Sequence, residues 1–428
     1  MTNKTISKHW EDIFAEYNIL EKVKNNGLFN ITANQIKEHK EPRLMAKFDT
    51  SSVLPAIFKN NNLAILPNSR NSYIIGDFAL YHHFEESPKK FKHIHIPSIY
   101  ETINKDSISS EAVALNALGL TGALDDFLGE SNLRTTISGR MTTDDFAFNI
   151  SNHDNSAVQH ITVKGSQMEI DTSYENENTF VLIEAKAVIH EDFLIRQLFY
   201  PYFYWHNHVQ KPIKPIFVIY VNGIYRIMEY EFRDPNNYSS INLVREQSYS
   251  LENAAVSLEE IIAISRNIKF VEENTNVPFV QADTFENVIT LIEHLNNGSM
   301  TPEEVTELFD FTDRQTDYYY NAARYLGFAE KSRQINGDKL ICLTEKGKGL
   351  FKVSYENRQI AFIKAILEHR IFNDAFQWAV NNTNPLDRKR ISNRLLELGC
   401  CKEGVAERRA SSVLHWIKWI MSVPENHE

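Results

Sequence analysis

The sequence predicts an α/β protein, a mixed sheet flanked by helices, followed by helical modules at the C-terminal end. Three observations carry this. Between residues 133 and 190 the strings LRTTISGRM, FAFNI, VQHITVKGSQMEID and TFVLIEAKAVI are of β type and are bounded by Gly, Asn or Asp turns. Runs with helical spacing bracket them, SEAVALNALGLTGALDDFL before and HEDFLIRQLFYPYFYWHNH after. Beyond residue 284 the texture turns helical.

Taken in order, residues 1–95 form an N-terminal α+β region. An amphipathic helix around Trp10–Asn25 precedes the short apolar runs LAILP and SYIIGDF, which Asn/Ser turns separate. Residues 96–244 hold the sheet. Ser109 or Ser110 is placed to cap a helix of about five turns. The helix after VLIEAK is expected to kink at Pro201, and IKPIFVIYVNGIYRIMEYEF reads as a hairpin turning at Asn222-Gly223. Residues 245–284 read as a connecting region, 285–354 as a winged helix-turn-helix, and 355–428 as a second winged-helix-like module.

The bulk numbers narrow the function. A chain of 428 residues exceeds one usual core, so two or three domains are expected. The start, MTNKTISKHWEDIF, is polar and carries no secretory signal, and no apolar run approaches the roughly 18 residues that cross a bilayer. Cys342, Cys400 and Cys401 have no zinc-ligand spacing, which fits a reducing cytoplasm. The net charge of -11 argues at first against a nucleic-acid partner. From Lys331 onward, however, 17 Lys+Arg face 11 Asp+Glu, so the acid is concentrated in the first 330 residues. Chance asymmetry remains the bland alternative. No P-loop, G-x-G-x-x-G, G-x-S-x-G or H-E-x-x-H motif is present, and His93, His95 and His190 form no zinc pattern.

The strongest chemical signal is QMEID (167–171) followed by VLIEAK (181–186). Strand alternation places Glu169 and Asp171 on one face, and Glu184 with Lys186 on one face of the next strand. The turn-rich DTSYENENT between them predicts a hairpin that brings Asp171 to Glu184 near its middle or open end. Two carboxylates beside a lysine are what metal-assisted phosphodiester cleavage requires. The alternative is a structural salt bridge, since a bare E-x-K triplet is common.

With EID…YE…VLIEAK followed by IRQLFYPYFYW, residues 100–235 resemble a group of PD-(D/E)xK restriction endonucleases. The resemblance implies Asp171, Glu184 and Lys186 as the catalytic trio, with Mg²⁺ held by Asp171 and Glu184. The family's proline before the acid is replaced here by Ile170. It also suggests Glu111, from the helix preceding the sheet, and Gln197, from the helix following E-x-K. Their plain readings are a charge favourable at a helix N-terminus and a helix-surface amide. Glu169 either assists a second metal or satisfies Arg140.

Sequence choice would need a reading device. MTPEEVTELFDFTDRQTDYYYNAARYLGFAEK has the form helix, turn, helix, with Thr312 or Asp313 as cap and a wing turning at Asn336-Gly337. Its exposed face would offer Arg314, Gln315, Tyr318 and Arg324, while Tyr320, Ala323 and Leu326 pack inward. AERRASSVLHWIKWI resembles the closing recognition helix of winged-helix pairs attached to restriction enzymes, with Arg408, Arg409, Ser411 and Ser412 at or near its start. Contact with protein alone is the competing use of such a fold. Arg43 and Lys47 in EPRLMAKFD suit either DNA or an ordinary surface.

These readings converge on a type II restriction endonuclease that cuts double-stranded DNA with Mg²⁺. A homodimer and a cognate DNA methyltransferase encoded nearby are the expected partners, with no membrane. A modification-dependent or repair nuclease, and a non-cleaving winged-helix DNA-binding regulator, stay open as alternatives.

Overall fold

A computed structural model describes residues 5–85, 90–105, 108, 110–252, 256–273, 276–333, 339–381 and 386–425. The chain is a mixed α/β protein whose centre is a seven-stranded mixed sheet. The strand order is Phe91–His93, Ile241–Ser250, Ile224–Phe232, Ile213–Val221, Phe180–Lys186, Thr172–Glu175 and Arg134–Thr135. Phe180–Lys186 runs parallel to Ile213–Val221 and antiparallel to Thr172–Glu175. The helix Arg196–His206 makes the crossover between the parallel pair.

Both faces of the sheet are covered, which is why FVLI can be apolar at every position. Val181, Ile183 and Ala185 pack with Ala114, Leu118 and Leu124 of the preceding helices. Phe180 and Leu182 pack on the other side with Leu198 and Phe199 of the crossover helix. Gly119 sits tight against this sheet, for a Cβ there would come within 2.4 Å of the Tyr174 hydroxyl. The hairpin turn has φ of 52° at Asn222 and 77° at Gly223, the pair of positive values that a two-residue I′ turn requires.

Several sequence expectations need correction. The helix beginning at Glu111, capped by Ser110, is interrupted at Gly122 and resumes as Ala123–Leu128. Ser109 lies outside the described residues, as does the Asn336-Gly337 turn. The helix expected from His190 starts only at Arg196, because Asp192–Leu194 is a buried strand paired with Tyr81–His83. Residues 241–250, assigned in part to a connector, form a strand of the main sheet, paired with Ile224–Phe232 along its length and with Phe91–His93 at Ser248, Tyr249 and Ser250. The N-terminal helix is two helices, Ile6–Glu16 and Ile19–Asn26, broken at Asn18, whose φ is 51°.

The C-terminal region is largely helical. Helices Phe285–Asn297, Pro302–Leu308 and Asp313–Tyr325 lead into the hairpin Ala329–Arg333 and Lys339–Leu343, with Met300 bridging to Ile341. Thr312 caps Asp313–Tyr325 in a capping box with Gln315. Tyr320, Ala323 and Leu326 are buried, as the spacing demanded. The short helix Glu345–Gly349 follows, and then Tyr355–Leu367, Arg370–Val380, Arg388–Glu397 and Glu403–Glu425. Among the described residues no strand follows Leu343, so the second module has no wing there. It also lacks a separate core, since one apolar cluster runs from Val256 to Val423 through both modules. Among the described residues no helix is long and apolar enough to cross a membrane.

Candidate functional site

The site is built where a β ladder ends. Thr172 pairs with Ile183, the last pair of that ladder, so the next residues out are Asp171 and Glu184. At the open end Ala185 lies beyond the ladder with Thr172–Glu175, although it stays paired with Val218 on the other side, and a buried N–H needs an acceptor. Asp171 Oδ2 takes it at 2.8 Å. The expected meeting of Asp171 and Glu184 therefore occurs at the open end of the hairpin. QMEID is not one continuous strand, however. Gln167–Ile170 pairs with Gly139–Thr142 in a separate two-stranded sheet, and Asp171 is the bend between the two.

Glu184 is 6% exposed. Its Oε1 accepts from Lys186 Nζ at 2.7 Å and from Gln197 Nε2 at 2.5 Å. The crossover helix thus places Gln197 on the metal-candidate acid, and the plain reading of a surface amide is corrected. Gln197 Oε1 is buried and has no hydrogen-bond partner among the described residues. Glu111 approaches from the opposite layer, at the first position of its helix, and its Oε1 accepts from the Ala187 N–H at 3.2 Å. Glu169 is turned away into an exposed pair with Arg140, 3.2 Å apart, which is the structural one of its two readings.

Two further acids were not found in the sequence. Asp49 and Asp310 lie within electrostatic range of Lys186. Lys47 joins them, 2.8 Å from Asp310 and 3.9 Å from Asp49. Asp310 stands between two C-terminal helices at φ 47°, a left-handed position that Asp tolerates better than most residues. Nothing local marks either residue, because each reaches the site through tertiary packing. A small cavity at this meeting point is lined by Asp49, Lys186, His190, Asp192 and Asp310.

Acid outweighs base here, and burial makes that expensive. Burial pushes the Glu184 carboxyl up to about 8, against the pull of Lys186. Burial likewise raises Asp171, Glu111 and Asp310 above the usual carboxylate range. Burial by itself pulls Lys186 down. The carboxylates of Glu184, Glu111, Asp49 and Asp171 overcome it and hold the ammonium well above the ordinary lysine value. His190 is held neutral, at about 4, by burial and by the charge of Lys186.

The residues expected to read DNA fall into two groups. Arg314 is exposed and stacks on Tyr318, and Arg408 is exposed near the start of Glu403–Glu425. Tyr318 and Arg324 are half-buried, and Gln315 spends its carbonyl oxygen on the Thr312 cap. Arg409, Ser411 and Ser412 are corrected, for they face the interior of the last helix. Arg409 is 9% exposed with Nη1 3.3 Å from the Val280 carbonyl, and Ser412 is fully buried with Oγ 2.5 Å from Asp283. Ser411 also bonds Asp283, at 3.2 Å. The helix starts at Glu403, so these three sit about two turns in. Arg409 is within electrostatic reach of both Arg408 and Tyr318, which puts the two exposed cations, Arg314 and Arg408, in one region.

The fold and site thus define a mixed α/β protein carrying a buried acid–lysine cluster at a sheet end, with a helical C-terminal region docked beside it. Its stretches 7–75, 76–250 and 287–425 match three families, each described only as a domain of unknown function (DUF6996, DUF6997 and DUF7226). The second of these contains Glu111, Asp171, Glu184, Lys186 and Gln197, whereas Lys47 and Asp49 fall in the first and Asp310 in the third. No curated protein and no solved structure matches the chain.

Proposed function

We propose that this protein is a Mg²⁺-dependent endonuclease of the PD-(D/E)xK type that cuts double-stranded DNA at a chosen sequence, as type II restriction enzymes do. The observation that supports it most is the convergence of Asp171, Glu184 and Lys186 at one strand end, with Gln197 on Glu184 and Glu111 beside them. A salt bridge kept for stability alone would not need four further half-buried acids around one lysine.

The donor set suits a hard divalent cation, since it is all oxygen and anionic. Asp171 and Glu184 are the two donors. Mg²⁺ keeps several waters and takes one or two carboxylates, so two acids are enough to hold it. Gln197 Oε1, buried without a partner, is an acceptor that a hydration shell would satisfy. When bound, Mg²⁺ would supply Lewis-acid polarisation of the phosphate and charge for the leaving oxygen.

The chain's own groups have distinct tasks in this reading. The Ala185 N–H fixes Asp171, and Gln197 with Lys186 fixes Glu184. Lys186, held protonated, donates to the attacking water or to a phosphate oxygen and offsets the charge that grows there. The helices and hairpin of residues 285–343 serve as a winged helix-turn-helix that positions the duplex, with Arg314 and Arg408 on phosphate. Two strand cuts favour a homodimer. Lys186 is 17% exposed and Glu184 8% in their side chains, so in this reading a duplex reaches them by an opening of the packing beside the Lys47–Asp310 pair.

Incubation with a plasmid of known sequence and Mg²⁺, followed by mapping of fragment ends, tests the proposal. Discrete ends are expected. Random nicking points to a repair or nonspecific nuclease, and binding without cutting to a regulator.

A further inference from the structure

A second polar cluster lies in the N-terminal unit, away from the acid–lysine site. The helix Ile6–Glu16 buries Trp10, Ile13 and Phe14 against its own core, and Trp10 Nε1 donates to the Met45 carbonyl at 2.8 Å. His9, Asp12 and Glu16 follow at helical spacing along a neighbouring stripe. His39, just past the short helix Ala33–Lys37, reaches back to them. Its Nε2 is 3.0 Å from Glu16 Oε2, and its ring meets that of His9 edge-on with centroids 6.2 Å apart. One ligand atom from each of His9, Asp12 and His39 lies within 4.8 Å of the other two.

We propose that His9, Asp12 and His39, with Glu16 as fourth ligand, form a binding site for a borderline divalent ion, Zn²⁺ foremost. Two imidazole nitrogens select zinc and its transition-metal neighbours over magnesium and calcium, which prefer oxygen alone. Zn–N and Zn–O bonds near 2.0–2.1 Å place tetrahedral donors about 3.4 Å apart. His9, Asp12 and His39 have to close from a spread of up to 4.8 Å, and Glu16, which now meets only His39, would swing in as the fourth donor. Two carboxylates balance the charge of the ion. All three of His9, Asp12 and His39 are partly open to solvent, so an ion can enter and a ligand can lose its proton. The ion would staple the first helix to the segment after Lys37, the two pieces that the His39–Glu16 pair now joins.

The test uses the full-length protein, stripped of metal and then titrated with Zn²⁺ by calorimetry and with Co²⁺ by visible absorption. A single zinc equivalent is expected, together with the strong d–d bands of tetrahedral cobalt and a raised melting temperature. All three should vanish in a His9→Ala/His39→Ala double variant and persist in Glu184→Ala, which separates this site from the one proposed for Mg²⁺. His39→Gln, which can still hydrogen-bond Glu16, guards against misfolding. Its metal-free circular dichroism should match wild type while the cobalt bands are lost. No zinc uptake by the wild type, or uptake and bands unchanged in the double variant, would overturn the proposal.

Discussion

The Ala185 N–H lies 2.8 Å from Asp171 Oδ2, so the backbone of one strand holds the acid of the other. Asp171 is therefore fixed independently of any ion, and Asp171→Ala should fold while losing Mg²⁺-dependent cleavage. Glu184→Ala should behave alike, and DNA binding should survive in both. Lys186→Ala should lower the cleavage rate by about 100-fold or more, the usual worth of a group acting on developing charge. Single-turnover kinetics and gel shifts check these, and near wild-type cleavage by any of the three would sink the site assignment.

The acid cluster also predicts how stability depends on pH. Glu184 has its folded value raised to about 8 from an ordinary 4.5, so its neutral form favours folding. That contribution is complete below about pH 4.5 and is lost as pH rises toward 8. In chelator, the melting temperature should fall between pH 5 and 8, and Glu184→Gln should flatten the fall. Mg²⁺, which binds the ionised acids, should raise the melting temperature more at pH 8 than at pH 6. A metal effect independent of pH would argue that Glu184 is not a ligand.

Lys47 and Asp310 join the N-terminal unit to the C-terminal one beside Lys186. Lys47 is 44% exposed, so the pair holds the two units together by about 1 kcal/mol at most. Lys47→Ala should then raise cleavage of DNA by up to about fivefold by making the site easier to open. A fall in rate, with folding intact, would mean that Lys47 works inside the site.

Arg408 and Arg409 are neighbours with opposite settings. Arg408→Ala and Arg314→Ala should weaken binding to all DNA and flatten its salt dependence, each by about one phosphate contact. Arg409→Ala should instead lower the melting temperature, because it removes a buried cation bonded to Val280. If Arg409→Ala alone changed the salt slope, the face assigned to DNA would be wrong.

Gly119 is where the helix carrying Glu111 touches the sheet. Gly119→Ala drives a methyl into the Tyr174 hydroxyl and should cost about 1–3 kcal/mol, read by urea unfolding. Cleavage should fall further than this loss of stability explains, because the helix start and Glu111 are displaced with it.

What could be read from the sequence is local. Strand alternation in VLIEAK, Asn222-Gly223, and the inward stripe of Tyr320, Ala323 and Leu326 each depend on near neighbours, and each is found in the structure. The connection DTSYENENT is only half a turn, because Thr172–Glu175 is the strand that pairs with residues 180–183. The meeting of Asp171 with Glu184 was legible for the same reason, since a short hairpin sets its own register. Periodicity misplaced the start of the crossover helix, because Asp192–Leu194 finds its partner more than a hundred residues away at Tyr81–His83. Only the tertiary structure brought Asp49 and Asp310 to Lys186, buried Arg409 and Ser412 that the sequence had put on the surface, and merged two expected modules into one core. Side-chain burial and long-range charge depend on how layers dock. A string of residues carries no local pattern for that.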